Sequence, residues 1–354
     1  MRGTKPLLLA LSLFVQGMQP AGAQQGDPPR AVARADSVPL FASEEPLALT
    51  FIADFGAIRK DRSEDPKDRP ARMVISSGDT LEVELRPRGN FRRDPANCSF
   101  PPLRLDVKRR PAEGTVFEGQ DKLKMVVPCR PEQSVYEQYV LLEYAIYQAY
   151  RVLTDLSFHV RLARMSFVDS GGGRAPFTAW GFLIEEDEVL AEHLGGTLVD
   201  IPEGAGVRPH FLNPRQSTLN AVFQYMVGNS DWSDQALHNV KLVEGVGLVL
   251  PVPYDFDFSG IVDARYATPD PLLGIRDVTV RIYRGWCFES VDREGLLALF
   301  REKRPAFQDA FRRVPGLEEE RLRKALSYLD GFYEDIQTAD RANRRMFRDC
   351  RPTA

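Results

Sequence analysis

Alternation of apolar and polar residues is the first regularity along the chain. From Leu47 onward five segments read as strands: LALTFIADF, RMVISS, TLEVELRPR, LRLDVKRR and KLKMVV. Apolar side chains at every second position share one face of a pleated strand, so each segment has one side to bury. The charged stretch KDRSEDPKDRPA separates the first two and reads as a solvated loop. Ser77-Gly78-Asp79 marks a turn between the second and third. Residues 41–130 are therefore expected to form a β-rich unit.

The period then changes. Tyr139, Leu142, Ile146, Tyr150 and Leu153 recur at helical spacing behind Ser134 and Glu137, which fit a capping box. A hairpin is expected next, VRLARMSFVDS with FTAWGFLIEE, joined by Gly171-Gly172-Gly173-Arg174. That glycine run lacks the Lys-Ser/Thr of a phosphate-cradling loop and reads as a connection only. Residues 215–227 read as a helix ended by Gly228. VKLV and LVLPVPY then form a second hairpin through Glu244-Gly245-Val246-Gly247, and two helical stretches, from DREGLLALF and from GLEEERLRK, run to the end. Residues 131–350 are expected to be a largely helical unit around that hairpin.

The longest apolar run lies at the N-terminus. Arg2 and Lys5 precede Leu7–Val15, and Ala21-Gly22-Ala23 supplies a small-x-small cleavage pattern. This predicts a signal peptide over 1–23, a mature start near Gln24 and export to the periplasm or beyond. The run is too short to span a bilayer as a helix, and no cysteine follows the cleavage pattern, so no stable membrane insertion is expected after cleavage. Residues 24–40, rich in Pro, Ala and Gln, read as a flexible lead-in. Export makes disulfides the expected state of the four cysteines, with Cys98–Cys129 and Cys287–Cys350 favoured because each closes a loop within one unit. No CxxC pair exists and the chain has only 4 His, which gives little support to a zinc cluster. Across 354 residues, Lys plus Arg is 46 against 50 Asp plus Glu, a formal charge of −4. A dedicated nucleic-acid binder would show a basic excess.

Candidate chemistry concentrates between Gly228 and Ser259. Asp231, Asp234, His238 and Asn239 lie before the second hairpin, and Asp255 and Asp257 lie after it. A hairpin brings its two ends together, so the two clusters should face each other. Carboxylates with an amide oxygen suit Mg²⁺ or Mn²⁺ and not zinc. Outside this window, His159 reads as structural, and His238 as either loop support or a phosphate contact. Arg265, Arg276, Arg281 and Arg284 are candidates to grip an anionic substrate. Trp180, Trp232 and Trp286 read as packing residues.

Asp, Asn, hairpin, then Asp-x-Asp resembles the active-site order of atypical kinases, nearest to the spore-coat-protein CotH kinase family and more remotely to HipA-type toxin kinases. Arg88-Gly89-Asn90 with Arg92 is similar to an RGN segment of the CotH N-lobe, FEGQDKLK to its F-x-G-x-x-K-L stretch, and GFLIEE to the strand leading to its lobe junction. The resemblance spans roughly residues 85–260. It implies a two-lobed α+β fold of the atypical protein-kinase type, with a β-rich N-lobe and a largely helical C-lobe carrying the catalytic-loop hairpin. It implies Asp231 as catalytic Asp, and Asn239, Asp255 and Asp257 as metal ligands. Lys122 or Lys124 would hold the nucleotide phosphates, and Glu143 would pair with that lysine. Asp231 stands eight residues before Asn239 where about five is usual in the family, so Asp234 competes for the catalytic role; Asp231-Trp232 fits the family better. The implied reaction is transfer of the ATP γ-phosphoryl group to a protein hydroxyl with Mg or Mn. Two other classes remain: a catalytically silent binding module of the cell envelope, and a metal-dependent phosphoesterase.

Overall fold

The computed structural model describes residues 38–202, 205–245 and 248–353. The expected signal peptide and the lead-in up to residue 37 lie outside them. Five of the seven strands of the main sheet are those read from alternation: β1 (Leu47–Ala53), β2 (Arg69–Ile75), β3 (Thr80–Pro87), β4 (Leu103–Val107) and β5 (Lys122–Val126). The short helices α1 (Phe55–Lys60) and α2 (Arg109–Ala112) sit in the connections. The first is nucleated by Asp54, whose side chain accepts the Ala57 N–H. The long helix α3 (Ser134–Arg151) precedes a hairpin of β6 (Val160–Asp169) and β7 (Phe177–Glu185).

These strands correct the expected two-lobed kinase-type fold. β6 lies parallel beside β1, from Leu47↔Ala163 to Ala53↔Asp169. The other neighbouring pairs are antiparallel, in the order β1-β2-β3-β4-β5-β7-β6, so the sheet closes into a seven-stranded barrel. The protein is a barrel-containing α+β fold. Closure removes both sheet edges and leaves an interior that side chains must fill. Phe167 is central there, with ring centroids 5.1 Å from Phe100, 5.5 Å from Phe55 and 4.8 Å from Phe177.

A second apolar cluster lies outside the barrel. It is built on α3 and on α5 (Pro214–Val227), which follows α4 (Asp187–His193) and the two-residue β8 (Thr197–Leu198). The hairpin β9 (Val240–Glu244) and β10 (Val249–Pro253) forms a small sheet with β8. Helices α6 (Arg293–Glu302), α7 (Arg304–Arg312), α8 (Glu319–Asp335) and α9 (Ala339–Arg345) complete the described chain. Pro305, at the start of α7, splits the expected single helix there. Helix α3 is buried nearly all round, wedged between the barrel and α7. The capping box on it does not form. Gln133 is the N-cap, so Ser134 is already helical, and the Glu137 carboxylate instead takes Arg164 and the Trp180 N–H across the barrel wall. No helix among the described residues is long and apolar enough to cross a membrane.

Both expected disulfides are present, Cys98–Cys129 with Cα atoms 4.7 Å apart and Cys287–Cys350 with 5.2 Å. They close loops with sequence separations of 31 and 63 residues. Restricting the unfolded chain over such loops is worth roughly 4 kcal/mol per bridge. Replacing either pair by serines should therefore lower urea-denaturation stability by about that amount. A loss under about 1 kcal/mol would mean that the unfolded chain is already held in those regions.

Candidate functional site

The site begins where α5 stops. Gly228 takes the left-handed conformation, φ 69°, that ends a helix, and a Cβ there would lie 1.9 Å from the Tyr328 hydroxyl. In the loop beyond, the Asn229 Oδ1 accepts the Asp231 N–H at 2.9 Å. Asn239 donates its amide nitrogen to the Asp231 carbonyl at 2.7 Å and to its Oδ2 at 3.1 Å, so the amide oxygen is the atom it can offer a cation. His238 Nε2 lies 2.9 Å from Asp231 Oδ1. The hairpin register pairs Val240 with Pro253, and Tyr254 N–H donates to the Asn239 carbonyl at 3.0 Å. Asn239 and Asp255 thus flank the two paired ends, as the hairpin argument requires.

Leu237, Asn239 and Asp255 all have positive φ, at 54°, 53° and 59°. Such values cost side-chain-bearing residues energy and persist where the surroundings enforce them. The enforcement at Asp255 is visible: its N–H donates to the Tyr147 hydroxyl at 2.9 Å. Asp257 accepts from the Tyr266 hydroxyl at 3.0 Å. Arg92 lies between the two aspartates, 3.7 Å from Asp257 and 4.0 Å from Asp255. Burial, and then the Asp255 charge, push the Asp257 pKa up to about 7 against the pull of Arg92. Burial, followed by the charge of Asp257, holds the Glu143 carboxyl well above its ordinary range. Asp255, Asp257 and Glu143 thus share this pocket with two guanidinium groups, Arg92 and Arg88.

Arg88, Lys124, Glu143, Tyr147, Tyr254 and Asp255 share a cavity of about 10 Å³, closed off by Phe158 and Ile184. That is room for about one water molecule. The two lysines of β5 separate here. Lys122 is exposed, while Lys124 lines the cavity. The expected pairing of Lys124 with Glu143 does not form, because Lys124 binds Asp187, which Lys241 also holds at 2.8 Å. Burial lowers the Lys124 pKa even with Asp187 beside it.

Asp234 is the more enclosed of the two candidate aspartates. It is fully buried and takes Ser217, Trp286 and Arg351 at 3.0, 3.1 and 2.7 Å. Arg281 and Arg284 are likewise committed, to the carbonyls of Tyr328 and Ser230, while Arg265 and Arg276 are exposed. Arg88 and Arg92 enter the site from the β3–β4 connection, and sequence reasoning had given them no role. Arg88 opens the RGN segment and Arg92 lies two residues beyond it, which was the available signal. His159 meets Glu185 and His193 in a second polar cluster.

No protein-family model matches the chain, and no curated protein matches it. The likeness to CotH-type kinases rests on the sequence motifs.

The contact with Asp231, more than the charge alone, raises the pKa of His238. A raised histidine pKa stabilises the fold below the unfolded value, and that contribution fades as pH rises through the folded pKa. In a proton NMR titration His238 should ionise above the ordinary 6.5, and Asp231→Asn should bring it down. An unchanged midpoint would remove the pair from the site.

Proposed function

We propose that this is an exported, divalent-cation-dependent phosphotransferase whose donor is ATP and whose acceptor is a protein hydroxyl. The reading rests on the site and not on the fold. The observation that carries it is the placement, at the two ends of one hairpin, of the Asn239–Asp231 pair and of Asp255 and Asp257 around Arg92, with Arg88 and Lys124 lining the cavity beside Asp255. An all-oxygen donor set fits Mg²⁺ or Mn²⁺, and burial followed by the Asp255 charge raises Asp257, a shift that a bound cation would oppose. Asp255, Asp257 and Asn239 are the residues to hold the ion, which when bound supplies neutralisation of phosphate charge. Asp231, half-exposed and oriented by Asn229, Asn239 and His238, is placed to take the acceptor hydroxyl's proton. Arg88 and Lys124 supply positive charge for phosphate oxygens. Two disulfides support an oxidising compartment.

A second reading, a catalytically silent binding module, is favoured by the Lys124–Asp187 pair and by a cavity too small for a triphosphate. Incubation of the disulfide-bonded protein with Mn²⁺ and γ-labelled ATP separates the two. Label transferred to the chain itself or to envelope protein supports the transferase. Nucleotide bound without transfer supports the silent module, and neither binding nor transfer removes ATP from both.

A further inference from the structure

Glu185 ends β7 with its carboxylate almost fully buried, and its ion-pair partners among the described residues are two histidines. His159 Nδ1 and His193 Nδ1 each lie 3.1 Å from the same oxygen, Oε2. Oε1 accepts the His159 N–H at 2.6 Å, which fixes the carboxylate in place. The imidazole centroids are 4.2 Å apart, and one donor atom from each of the three residues lies within 4.8 Å of the others. The second nitrogen of His193 is buried with no partner, so its ring is held from one side only.

A buried carboxylate without Lys or Arg needs compensation, from a protonated histidine or from a metal. The donor set favours the metal. Two neutral imidazoles and one carboxylate are the protein ligands of many three-coordinate zinc sites with an open fourth position. Zinc–ligand bonds of about 2.0–2.1 Å imply tetrahedral ligand–ligand edges of about 3.4 Å. The two 3.1 Å separations are already near that value. A turn of the His193 ring, whose Nε2 has no partner to hold it, closes the third edge. We propose that His159, Glu185 and His193 bind one zinc-class divalent cation. The site is separate from the oxygen-only cluster around Asp255 and selects a softer ion.

Its consequence reaches the candidate active site through the chain. The three ligands come from the start of β6, the end of β7 and the end of α4. Asp187, two residues beyond Glu185, opens α4 and grips both Lys124 and Lys241. An ion here staples the β7–α4 turn and so fixes the residue that positions Lys124.

The test uses tag-free, disulfide-bonded full-length protein, stripped with a chelator and titrated with Zn²⁺ or Co²⁺. One equivalent of zinc should bind and raise Tm. Bound Co²⁺ should show the intense visible absorption of a four-coordinate site, a readout that needs no variant. His193→Gln and Glu185→Gln should each lose zinc binding and the Tm rise, whereas Asp255→Asn/Asp257→Asn should keep both. Absence of zinc uptake by the unaltered chain would overturn the assignment. So would zinc uptake that disappears with the aspartates and survives in the histidine and Glu185 variants, or a Co²⁺ complex with only the weak absorption of a six-coordinate oxygen site.

Discussion

Asp255→Asn is expected to abolish Mn²⁺-dependent nucleotide binding, and Asp231→Asn to leave it intact while cutting turnover by about 10²-fold or more. Asp255 follows one end of the hairpin and Asp231 is held to the other through Asn239, so the two face different partners. Asp255 shares its surroundings with Asp257, Arg92 and the cavity that Lys124 and Arg88 line. Losing its charge would leave Arg92 and Asp257 to pair with each other, a closed ion pair with nothing left to attract a cation. Asp231 instead contacts His238 through Oδ1 and Asn239 through Oδ2, and an asparagine there keeps one acceptor oxygen for one of the two. It cannot take a proton. Isothermal titration with Mn²⁺ and a non-hydrolysable nucleotide measures the first effect, and single-turnover label transfer measures the second. If both substitutions leave binding and transfer unchanged, the acidic cluster is structural and the transferase reading is lost. If Asp255→Asn alone is silent, the cation is held elsewhere.

Alternation and hairpin geometry were enough to place much of this site. The pairing of Val240 with Pro253 follows from two apolar runs joined by a glycine-rich turn, and it brings Asn239 to Tyr254. Cysteine spacing within separate segments anticipated both bridges. What alternation cannot reveal is which strand lies next to which. β6 reads as one arm of a local hairpin, and its second edge meets β1 more than a hundred residues earlier, which no local pattern records. That single pairing turns an open sheet into a barrel. Helix α1 escaped because six residues are too few to show a helical period.

Ion-pair partners were the least readable feature. Lys124 and Glu143 line the same cavity, so their expected proximity is present, yet Asp187 takes the lysine. Asp187 belongs to α4, a seven-residue helix whose position depends on the barrel's last strand. A long flexible lysine follows the nearest carboxylate, and the nearest one is fixed by tertiary placement. The same holds for His159, Glu185 and His193, whose convergence depends on β6 and β7 being neighbours and on α4 folding back. Helix α5 shows the converse. Gln216, Ser217, Thr218, Asn220 and Gln224 are all buried, and the first three make internal hydrogen bonds, so polarity there does not mark a solvated face.

Asp234→Ala should lower stability by about 3–5 kcal/mol, the usual cost of removing one partner of a buried ion pair. The carboxylate joins three parts of the molecule. Ser217 is on α5, Trp286 is beside the Cys287–Cys350 bridge, and Arg351 follows that bridge. Arg351 is itself clamped, with its N–H on the Gly285 carbonyl at 2.9 Å and its guanidinium 4.0 Å over the Trp286 ring. Without Asp234, Arg351 loses its charge partner and the Trp286 N–H and Ser217 hydroxyl lose their acceptor together. The loop from Asn229 to Asn239 then loses its anchor, so turnover should fall in parallel with stability. Urea denaturation gives the first quantity and single-turnover transfer the second. Arg351→Met on the Asp234→Ala background should recover part of the loss, because it removes the unpaired charge, and the double-mutant cycle isolates that coupling. Asp234→Asn is the decisive comparison with Asp231→Asn. If Asp234→Asn loses turnover at unchanged stability while Asp231→Asn does not, the carboxylate of Asp234 acts in the chemistry and the two roles must be exchanged. A stability change under about 1 kcal/mol for Asp234→Ala would mean that the three-part junction is held by packing and the disulfide alone.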